Sequence, residues 1–557
     1  MEDLTRVMYS MVDASVSDKS TISQGQPISV DQVMNNAGGY GWTVTPMGRV
    51  RRFLCLGSEG GTYYVKEKTL TQENAACIER LIADGKGKEV VNEIRTFSVE
   101  GRTAKQSPIL FALALCARSK DLPTQKTAYE VLNDVCRIPT HLFEFIEYCE
   151  LLSCGTGWGR AHRRAVCKWY NQFQSNPMKL AMHVTKYRNR KDWTHLDVLR
   201  LAHIKPADAQ IGAVTRYVVK GLTASKEFYV TDDCEESIKK VFEFISAVEA
   251  AKSSTEEKDV VELISKHDLV REHVPTKLLN SVAVWECLLN KMPMTALIRN
   301  LGKMTAINLI TPGSPAESLV VQKLSNEVSL KHARIHPFSV MVGLKTYSKG
   351  SGEKGRLKWT PSEKVVKALD AAFYKAFKYV EPTDKRYCLA VDVSGSMSCP
   401  VMGTPSISAA DAATAMMMCT VKTERLCDVV AFSDNLTPVH VNPNHTLRQV
   451  LTMTQKIPMG ATDCALPMTW AQEKKGKYDV FIVYTDCETW CGTIHPAEAL
   501  RRYRQSSGIW DAKLIVCGMA STAFTIADPN DPGMLDIVGF DSAAPEVMKN
   551  FINGLIC

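Results

Sequence analysis

The sequence predicts a two-part protein of class α + α/β, in which a long array of helices precedes a doubly wound α/β domain. Three observations support this prediction. The chain has 557 residues, enough for two or more domains. Apolar residues recur with helical spacing from about residue 70 to about residue 370. After Tyr387, short β-branched runs alternate with helical segments, which is typical of a parallel sheet covered by helices.

The composition is that of an ordinary globular protein, with 45% hydrophobic and 23% charged residues. The formal net charge of +7 permits an anionic partner without requiring one. The 18 cysteines include no Cys-x-x-Cys pair, which excludes zinc-ribbon and thioredoxin patterns. No secretory signal is visible, and no run of about 18 apolar residues could span a membrane. We therefore expect a soluble, intracellular protein without a membrane partner, located in the cytoplasm and in addition in the nucleus.

The first part of the chain is expected to contain little helix. Residues 1–40 are polar and rich in Ser, Asn and Gln, and we expect them to form a flexible leader. Residues 42–66 carry alternating apolar side chains around the run Gly57-Ser-Glu-Gly-Gly61. This pattern predicts a short pair of strands joined by a glycine turn.

Residues 41–372 are predicted to form the helical domain. The run from Ile109 to Cys116 is apolar on nearly every side, which indicates a buried helix. Helices and short turns then continue to about residue 370 without a clean sequence repeat. Many short helix pairs over such a length favour an α-solenoid over a bundle.

Residues 383–557 are predicted to form the α/β domain, because the pattern changes near Pro382. Its predicted strands are Cys388–Val393, Asp428–Phe432, Val480–Tyr484 and Leu514–Cys517. Its predicted helices include Ala409–Cys419 and Ala497–Tyr503.

Oxygen-bearing side chains follow the first of these strands. Asp392, Ser394 and Ser396 are spaced two residues apart. Loops at the carboxyl ends of parallel strands face the crevice where open α/β sheets bind ligands. A carboxylate and two hydroxyls are hard oxygen donors of the kind that Mg²⁺ accepts. The alternative is a turn-rich domain that binds no metal, because Asp and Ser are common in turns.

Two later positions add further oxygen donors to those of the first loop. Thr462 lies in a glycine-containing turn, and Asp486 directly follows the third predicted strand and Thr485. Together with the first loop, these parts resemble the metal-ion-dependent adhesion site of von Willebrand factor A domains. The resemblance implies that Asp392, Ser394, Ser396 and Thr462 are near ligands of a divalent metal, expected to be Mg²⁺. It also implies that Asp486 closes the site, often through water.

A strongly basic segment lies between Trp158 and Lys205. Eleven Lys or Arg residues against two Asp residues give this segment a local charge of +9, which exceeds the charge of the whole chain. Histidines and aromatic residues lie among the cations, including Trp169, Tyr170 and Trp193. A basic surface interleaved with aromatics suits RNA, through phosphate pairing and base stacking. The alternative is a solvated basic face without a partner. The candidate RNA-binding residues in this segment are Arg160, Arg163, Arg164, Lys168, Lys186, Arg190 and His203.

A second, sparser basic set includes Arg299 and Lys303, which are four residues apart and therefore neighbours on one helix face. Lys186 and Arg190 have the same spacing, so we expect both to face the same phosphates from one helix. The alternative for the second set is that its cations cap helix ends and pair with acids.

Several separated stretches resemble the Ro autoantigen family, in which a TROVE domain precedes a von Willebrand factor A domain. The stretches are Phe53–Tyr64, Cys136–Phe143, Met294–Met304, Ala333–Phe338 and Phe524–Pro529. The resemblance covers the chain from about residue 40 to its end.

The resemblance implies a ring of HEAT-like repeats in the helical domain. It also implies binding of small non-coding Y RNAs outside the ring and of single-stranded ends of misfolded small non-coding RNA through the hole, as part of RNA quality control. Lys186, Arg190 and His203 match positions linked to Y RNA recognition in the family, and Arg299 and Lys303 would line the hole. Arg188-Asn189 and Ala202 depart from the family pattern, which leaves the fine RNA specificity open.

Two other functions compete with RNA binding. The first is a metal-dependent adaptor, since a metal held mainly by hydroxyls can accept a carboxylate from an acidic protein partner. The second is an enzyme, but Walker A, His-Glu-x-x-His and Gly-x-Ser-x-Gly motifs are missing from the sequence. Metal-dependent RNA hydrolysis would need more carboxylates than Asp392 and Asp486 supply, with Asp463 as the one further acid. We therefore expect a protein without catalytic activity.

Overall fold

A computed structural model describes residues 21–153, 155–353, 355–377 and 380–556. A long helical region comes first and an α/β domain follows, which confirms the predicted fold class. Among the described residues, no helix has both the length and the apolar character needed to cross a membrane.

The segment before the first described helix packs on the α/β domain. Strands β1 (Val33–Met34) and β2 (Tyr40–Thr43) pair with each other, and β2 also pairs with β10 (Phe524–Thr525) near the other end of the chain. Trp42 is buried in the core of the α/β domain. The prediction of a flexible leader is therefore wrong for residues 21–40, and residues 1–20 lie outside the described residues.

The predicted strand pair within residues 42–66 is also wrong. Only β2 is a strand there, and α1 occupies Pro46–Leu56. Thr45 caps this helix by accepting a hydrogen bond from the backbone N–H of Gly48, and Pro46 stands at the first helical position. The cap and the proline outweigh the alternation of apolar side chains.

The helical region continues as short helices joined by short turns. Their bounds are α2 Glu67–Ala83, α3 Gly87–Glu100, α4 Ser107–Arg118, α5 Leu122–Glu130, α6 Leu132–Val135, α7 Pro139–Leu151, α8 Arg160–Asn171, α9 Pro177–Lys186, α10 His195–Ala202, α11 Ala209–Lys220, α12 Leu222–Tyr229, α13 Glu236–Ser253, α14 Glu257–His267, α15 Val282–Lys291, α16 Met294–Ala306, α17 Pro315–Ser325, α18 Glu327–His332, α19 Pro337–Lys349 and α20 Glu363–Lys375. A small hairpin of β3 (Asn189–Arg190) and β4 (Trp193–Thr194) interrupts the array, and 3₁₀ turns lie at Arg271–His273 and Thr276–Asn280. The predicted domain end at residue 372 falls inside α20.

The array returns toward its beginning. His336, which precedes α19, has its Nε2 atom 3.2 Å from the backbone oxygen of Arg102, which follows α3. A Cβ atom built at Gly101 would lie 3.4 Å from the side chain of Arg334. Two segments more than 200 residues apart in sequence therefore touch, and the helices between them form a closed path.

The α/β domain contains a six-stranded sheet in the order β11-β9-β8-β5-β6-β7, in which only β7 runs antiparallel to its neighbour among the described strands. The strands are β5 Arg386–Asp392, β6 Leu426–Phe432, β7 Leu436–Val439, β8 Val480–Thr485, β9 Lys513–Gly518 and β11 Met534–Val538. The helices are α21 Ala409–Thr423, α22 Leu447–Thr454, α23 Leu466–Glu473, α24 Pro496–Ser507 and α25 Ala544–Ile552. The central strands β5 and β8 are buried along almost their whole length, as expected for parallel strands covered on both faces.

The two domains share charged and apolar contacts. Arg52 on α1 bonds to Asp536 on β11, and Arg102 bonds to Asp541 in the α/β domain. The rings of Phe338 and Phe540 meet edge to face with centroids 5.2 Å apart. These contacts hold the first helices and the start of α19 against the same side of the α/β domain.

Candidate nucleic-acid interface and metal centre

Three loops meet at the carboxyl edge of the sheet. The loop after β5 contacts the turn before α23 through the N–H of Gly395, which donates to the backbone oxygen of Gly460 at 3.1 Å. The loop after β8 contacts the same turn, because the N–H of Trp490 donates to the backbone oxygen of Thr462 at 3.0 Å. Parallel strand order brings these loops together, since β5 and β8 are neighbours in the sheet.

Asp392 lies at the centre of this edge and is fully buried. Its Oδ1 accepts the N–H of Ser394 at 2.8 Å, and its Oδ2 accepts the hydroxyl of Thr485 at 2.6 Å. The hydroxyl oxygens of Ser394 and Ser396 are 3.3 Å apart. The hydrogen bonds fix the orientation of the carboxylate, so the first loop presents its oxygens as one group.

The two carboxyls of the edge share a strongly desolvated environment. The pKa of Asp392 is raised to about 7, because burial disfavours the ionised carboxylate and the charge of Asp486 adds to the effect. Burial also raises the pKa of Asp486, against a hydrogen bond from Ser396 that lowers it. A divalent cation would offset both costs, because it attracts the two carboxylates that otherwise repel each other.

The donor set at this edge fits a hard divalent cation such as Mg²⁺. Asp392, Ser394, Ser396, Thr462 and Asp486 are all buried, with at most 5% of each residue exposed. Two carboxylates and three hydroxyls supply oxygen donors alone, and no described group of three or more His, Cys, Asp or Glu residues offers a different metal site. Whether these residues bind a metal stays a prediction.

Other parts of the chain lie beside the edge that carries Asp392, Ser394, Ser396, Thr462 and Asp486, which we call the metal-type edge. The amide of Gln24 donates to Oδ1 of Asp463 at 2.7 Å, and the N–H of Asn36 donates to Glu488 at 2.8 Å. Tyr64 lies close enough that the charges of Asp486 and Glu488, after burial, raise its pKa to about 12. Gln24 and Asn36 precede α1, and Tyr64 follows it. The segments on both sides of α1 therefore reach the metal-type edge.

The basic residues of α8 form an exposed row. Arg160, Arg163, Arg164 and Lys168 all point to solvent, and Arg160, Arg164 and Lys168 follow one another at intervals of four residues on one face. The helix contains no Asp or Glu. The structure thus places these four predicted RNA-binding residues on one surface.

Lys186 and Arg190 do not share a helix face, so that prediction is wrong. Lys186 is the last residue of α9, whereas Arg190 lies on β3 of the small hairpin. Lys186 is partly buried beside Glu272 at 4.0 Å, and Arg190 is exposed. The helix ends at Lys186 because the chain turns there into the hairpin.

His203 belongs to the surface of α8. It is exposed and caps α10 in the left-handed conformation, with φ of 50°. The backbone oxygen of Ala202, the residue before His203, accepts a hydrogen bond from Cys167 of α8 at 3.4 Å, and the carbonyl of Lys205 accepts one from Asn171. His203 therefore extends the basic surface at the end of α8.

Most of the aromatic and histidine side chains of the basic segment are structural. Trp169 and Tyr170 are fully buried, and His162, His183 and His195 are also buried. Burial lowers the pKa of His162 and His183 to about 4 and that of His195 to about 3. The expectation that Trp169 and Tyr170 stack on bases is wrong, because the helix faces that carry them point into the core.

The second basic set lies on a different part of the helical region. Arg299 is exposed on α16, and Lys303 donates from Nζ to the amide oxygen of Asn280 at 2.7 Å. These two residues share one helix, as predicted.

Two contacts of interest gave only a weak signal in the sequence. Thr485 holds Asp392 through its hydroxyl, and its position just before Asp486 was the one available hint. Lys252 lies near Lys186 because α13 packs against α9, and its Nζ donates to the backbone oxygen of Thr185 at 3.3 Å. An isolated lysine in an amphipathic helix gives no local indication of such a neighbour.

Comparison with protein families gives two matches. The model of the TROVE domain matches residues 33–345, which is more than half of the chain. The model of the Ro60 vWA domain matches residues 386–552. The two matches cover the helical region and the α/β domain respectively.

Whole-chain relatives agree with these matches. The RNA-binding protein RO60 of Caenorhabditis elegans is 39% identical over 99% of this chain and 95% of its own length. The RNA-binding protein RO60 of Deinococcus radiodurans is 35% identical over 95% of this chain and 97% of its own length. A crystal structure of the Deinococcus radiodurans RO (RSR) protein superposes with a TM-score of 0.66 at 33% identity and covers 92% of this chain and all of that chain. The chain therefore belongs to the Ro60 family, in which a TROVE domain is followed by a von Willebrand factor A domain.

Proposed function

We propose that this chain binds RNA through its helical domain and serves as the protein component of a small ribonucleoprotein. The RNAs we propose are Y RNAs and the single-stranded ends of misfolded small non-coding RNA, which would give the protein a role in RNA quality control. The names of the relatives, RNA-binding protein RO60, support the general function.

The observation that carries the proposal is the exposed basic row on α8. Arg160, Arg164 and Lys168 project from successive turns of one helix, and His203 and Lys205 lie beside the end of that helix. Such a surface binds phosphates by releasing condensed counterions, so its affinity depends steeply on salt. Arg adds a planar fork that can bond to a phosphate or stack on a base.

The test is a titration of a Y RNA-type hairpin at several salt concentrations. Replacing Arg160, Arg164 and Lys168 together by Gln should weaken binding and lower the salt slope by about one for each lost phosphate contact. Lys68→Gln is the matched control, because Lys68 is also exposed but lies on α2. Equal affinities and equal salt slopes for the triple variant and the wild type would contradict the proposal.

We infer a second candidate function for the α/β domain, which is Mg²⁺-dependent binding of an acidic protein segment. The supporting observation is that two large apolar side chains remain exposed beside the metal-type edge. Trp490 is 42% exposed and its backbone N–H donates to the backbone oxygen of Thr462, and Met459 is 67% exposed just before Gly460. A cation with an open position beside apolar anchors suits a carboxylate-bearing partner.

Calorimetry with Mg²⁺ and then with a Glu-rich peptide tests this second function. The peptide should bind in Mg²⁺ and lose its binding in EDTA, and Trp490→Ala should weaken it. Binding that persists in EDTA would show that the metal-type edge is not involved.

A further inference from the structure

A cavity of about 410 Å³ lies in the helical region between α14, α15 and the start of α16. Its walls include the apolar side chains of Ile264, Leu269 and Leu288, and the amides of Asn290 and Asn300 also line it. Cavities of this size, mostly apolar with a few polar groups, are typical of small-ligand sites. The amide of Asn300 donates to the backbone oxygen of Ala296 at 2.8 Å, which fixes the orientation of its side chain.

Positive charge is concentrated around Lys186, beside one end of this cavity. Lys186 lines the cavity, and Nζ of Lys252 donates to the backbone oxygen of Thr185, the residue before Lys186, at 3.3 Å. Arg188 follows Lys186 by two residues, and the charges of all three cations act on the buried ring of His273. The pKa of His273 is lowered to about 3, first by burial and then by the charges of these three cations. The pKa of Lys252 is lowered to about 8, first by burial and then by repulsion from Arg188. Bringing an anion to this side would relieve the repulsion.

The acids near these cations offset only part of the charge. Glu272 lies 4.0 Å from Lys186, and Glu249 acts on Lys252. Arg271 adds a further cation on the rim, next to Glu272 in the chain. Four cations against two acids leave an excess of about two positive charges. At the opposite side of the cavity, Lys291 and Asp268 form an ion pair and contribute no net charge.

We propose that this cavity and its basic side form a subsite for one unpaired nucleotide of the bound RNA. The cavity receives the base, and Lys186, Arg188 and Lys252 hold its phosphate. The inference rests on the proposed RNA-binding function and adds a site to it.

The chemistry of a nucleotide matches both halves of the site. An aromatic base can pack against the apolar wall, and side-chain amides offer a donor and an acceptor to the edge of the base. A base inside an A-form duplex keeps its edge paired, so only an unpaired nucleotide can enter the cavity. A free phosphate would use the cations but would leave the apolar wall unfilled.

The first experiment fills the cavity without changing its charge. Ala296 lines the cavity on α16 and is only partly exposed, so Ala296→Phe should occupy the space of the base. Two RNAs are compared by fluorescence anisotropy, a hairpin with a single-stranded tail and the same hairpin without the tail. We expect the variant to lose about tenfold in affinity for the tailed hairpin, because one base loses its apolar packing in the cavity, and to bind the blunt hairpin as the wild type does.

The second variant changes charge and leaves the cavity open. Lys252→Gln should weaken binding of the tailed hairpin more than binding of the blunt one. It should also lower the salt slope for the tailed hairpin by about one. Lys68→Gln on α2 is the control and should leave the affinity for both RNAs unchanged. Thermal unfolding of each variant shows that the fold is retained.

A third measurement uses the wild-type chain. A tailed hairpin with a photoreactive thiouridine in the tail should crosslink to peptides between Ile264 and Asn300. Wild-type affinity of Ala296→Phe for the tailed hairpin, or crosslinks confined to other peptides, would overturn the subsite. If the wild type binds neither hairpin, the proposed function itself fails, which is a different result.

Discussion

Arg52 gives the sharpest test of how the two domains are held together. Its guanidinium is fully buried between α1 and the α/β domain, with Nη2 2.5 Å from Oδ1 of Asp536 and Nη1 2.8 Å from the backbone oxygen of Phe524. A methyl group at Gly518 would lie 2.6 Å from this guanidinium, so the space around it is tight. Arg52→Met removes the charge and keeps most of the volume.

The magnitude follows from what the variant leaves behind. Asp536 is 20% exposed in its side chain and would lose its cation, while the carbonyl of Phe524 would lose a donor. Removing one partner of a buried ion pair costs about 3–5 kcal/mol, because the other charge stays buried and uncompensated. We therefore expect the free energy of unfolding to fall by about this amount.

Denaturant unfolding, together with hydrogen exchange in α1 and β11, measures the effect. Arg51→Met is the neighbouring control, since Arg51 pairs with Glu93 on the surface and should cost about 1 kcal/mol or less. Adding Asp536→Leu to Arg52→Met should recover part of the loss, because an apolar pair can replace a buried ion pair. An unchanged unfolding midpoint for Arg52→Met would refute the argument, and so would a double variant no more stable than the single one.

Three further predictions concern the metal, acid and the first strands. Asp392→Ala should abolish Mg²⁺ binding in calorimetry and leave the circular dichroism spectrum of the sheet intact, since it removes the carboxylate of the first loop. The lowered pKa values of buried His162, His183 and His195 mean that the unfolded chain binds more protons below pH 6.5. The contribution of these histidines to stability should be full above pH 6.5 and fall toward pH 4, by up to about 1.4 kcal/mol per pH unit for each histidine, while the raised pKa of Asp392 acts in the opposite direction. His195→Gln should therefore make the melting temperature fall less steeply with decreasing pH than in the wild type, and identical profiles would contradict this. Trp42→Ala should lower the free energy of unfolding by about 3–5 kcal/mol and speed hydrogen exchange in β10, because the indole ring lies in the core of the α/β domain.

The sheet and the grouping of oxygen donors at its carboxyl edge could be predicted because their signals are local. The apolar run before Asp392 has the composition of a strand buried on both faces, and β5 occupies Arg386–Asp392. In the structure β5 pairs with β8, which brings the loop of Asp392 beside Thr485. The buried helix predicted over Ile109–Cys116 was also clear, and α4 contains it.

The remaining features depend on contacts that a local pattern does not encode. Residues 21–43 gain their order from Thr489 and Asp463, which lie more than 400 positions later in the chain. The end of α9 at Lys186 precedes a hairpin whose turn, Lys191-Asp192, has φ of 51° and 63°, a conformation for which Asn-Gly is the usual signal.

Neighbours in sequence on a helix also face different directions. Lys168 is exposed and Trp169 is buried on the same turn of α8, so counting cations and aromatics together overestimated the stacking surface.

The bond between Gln24 and Thr489 spans 465 residues and has a consequence for protein synthesis. A ribosome adds about 5–20 residues per second, so the partner of Gln24 emerges roughly 20 to 90 seconds after Gln24 itself. During that interval the face of α1 that carries Arg52 is not yet covered by the α/β domain. The helical array can form on the nascent chain, but its first helix stays open to other proteins until the last strands leave the ribosome. A chain truncated before β10 would keep that surface open permanently and would be a natural substrate for chaperones or proteases.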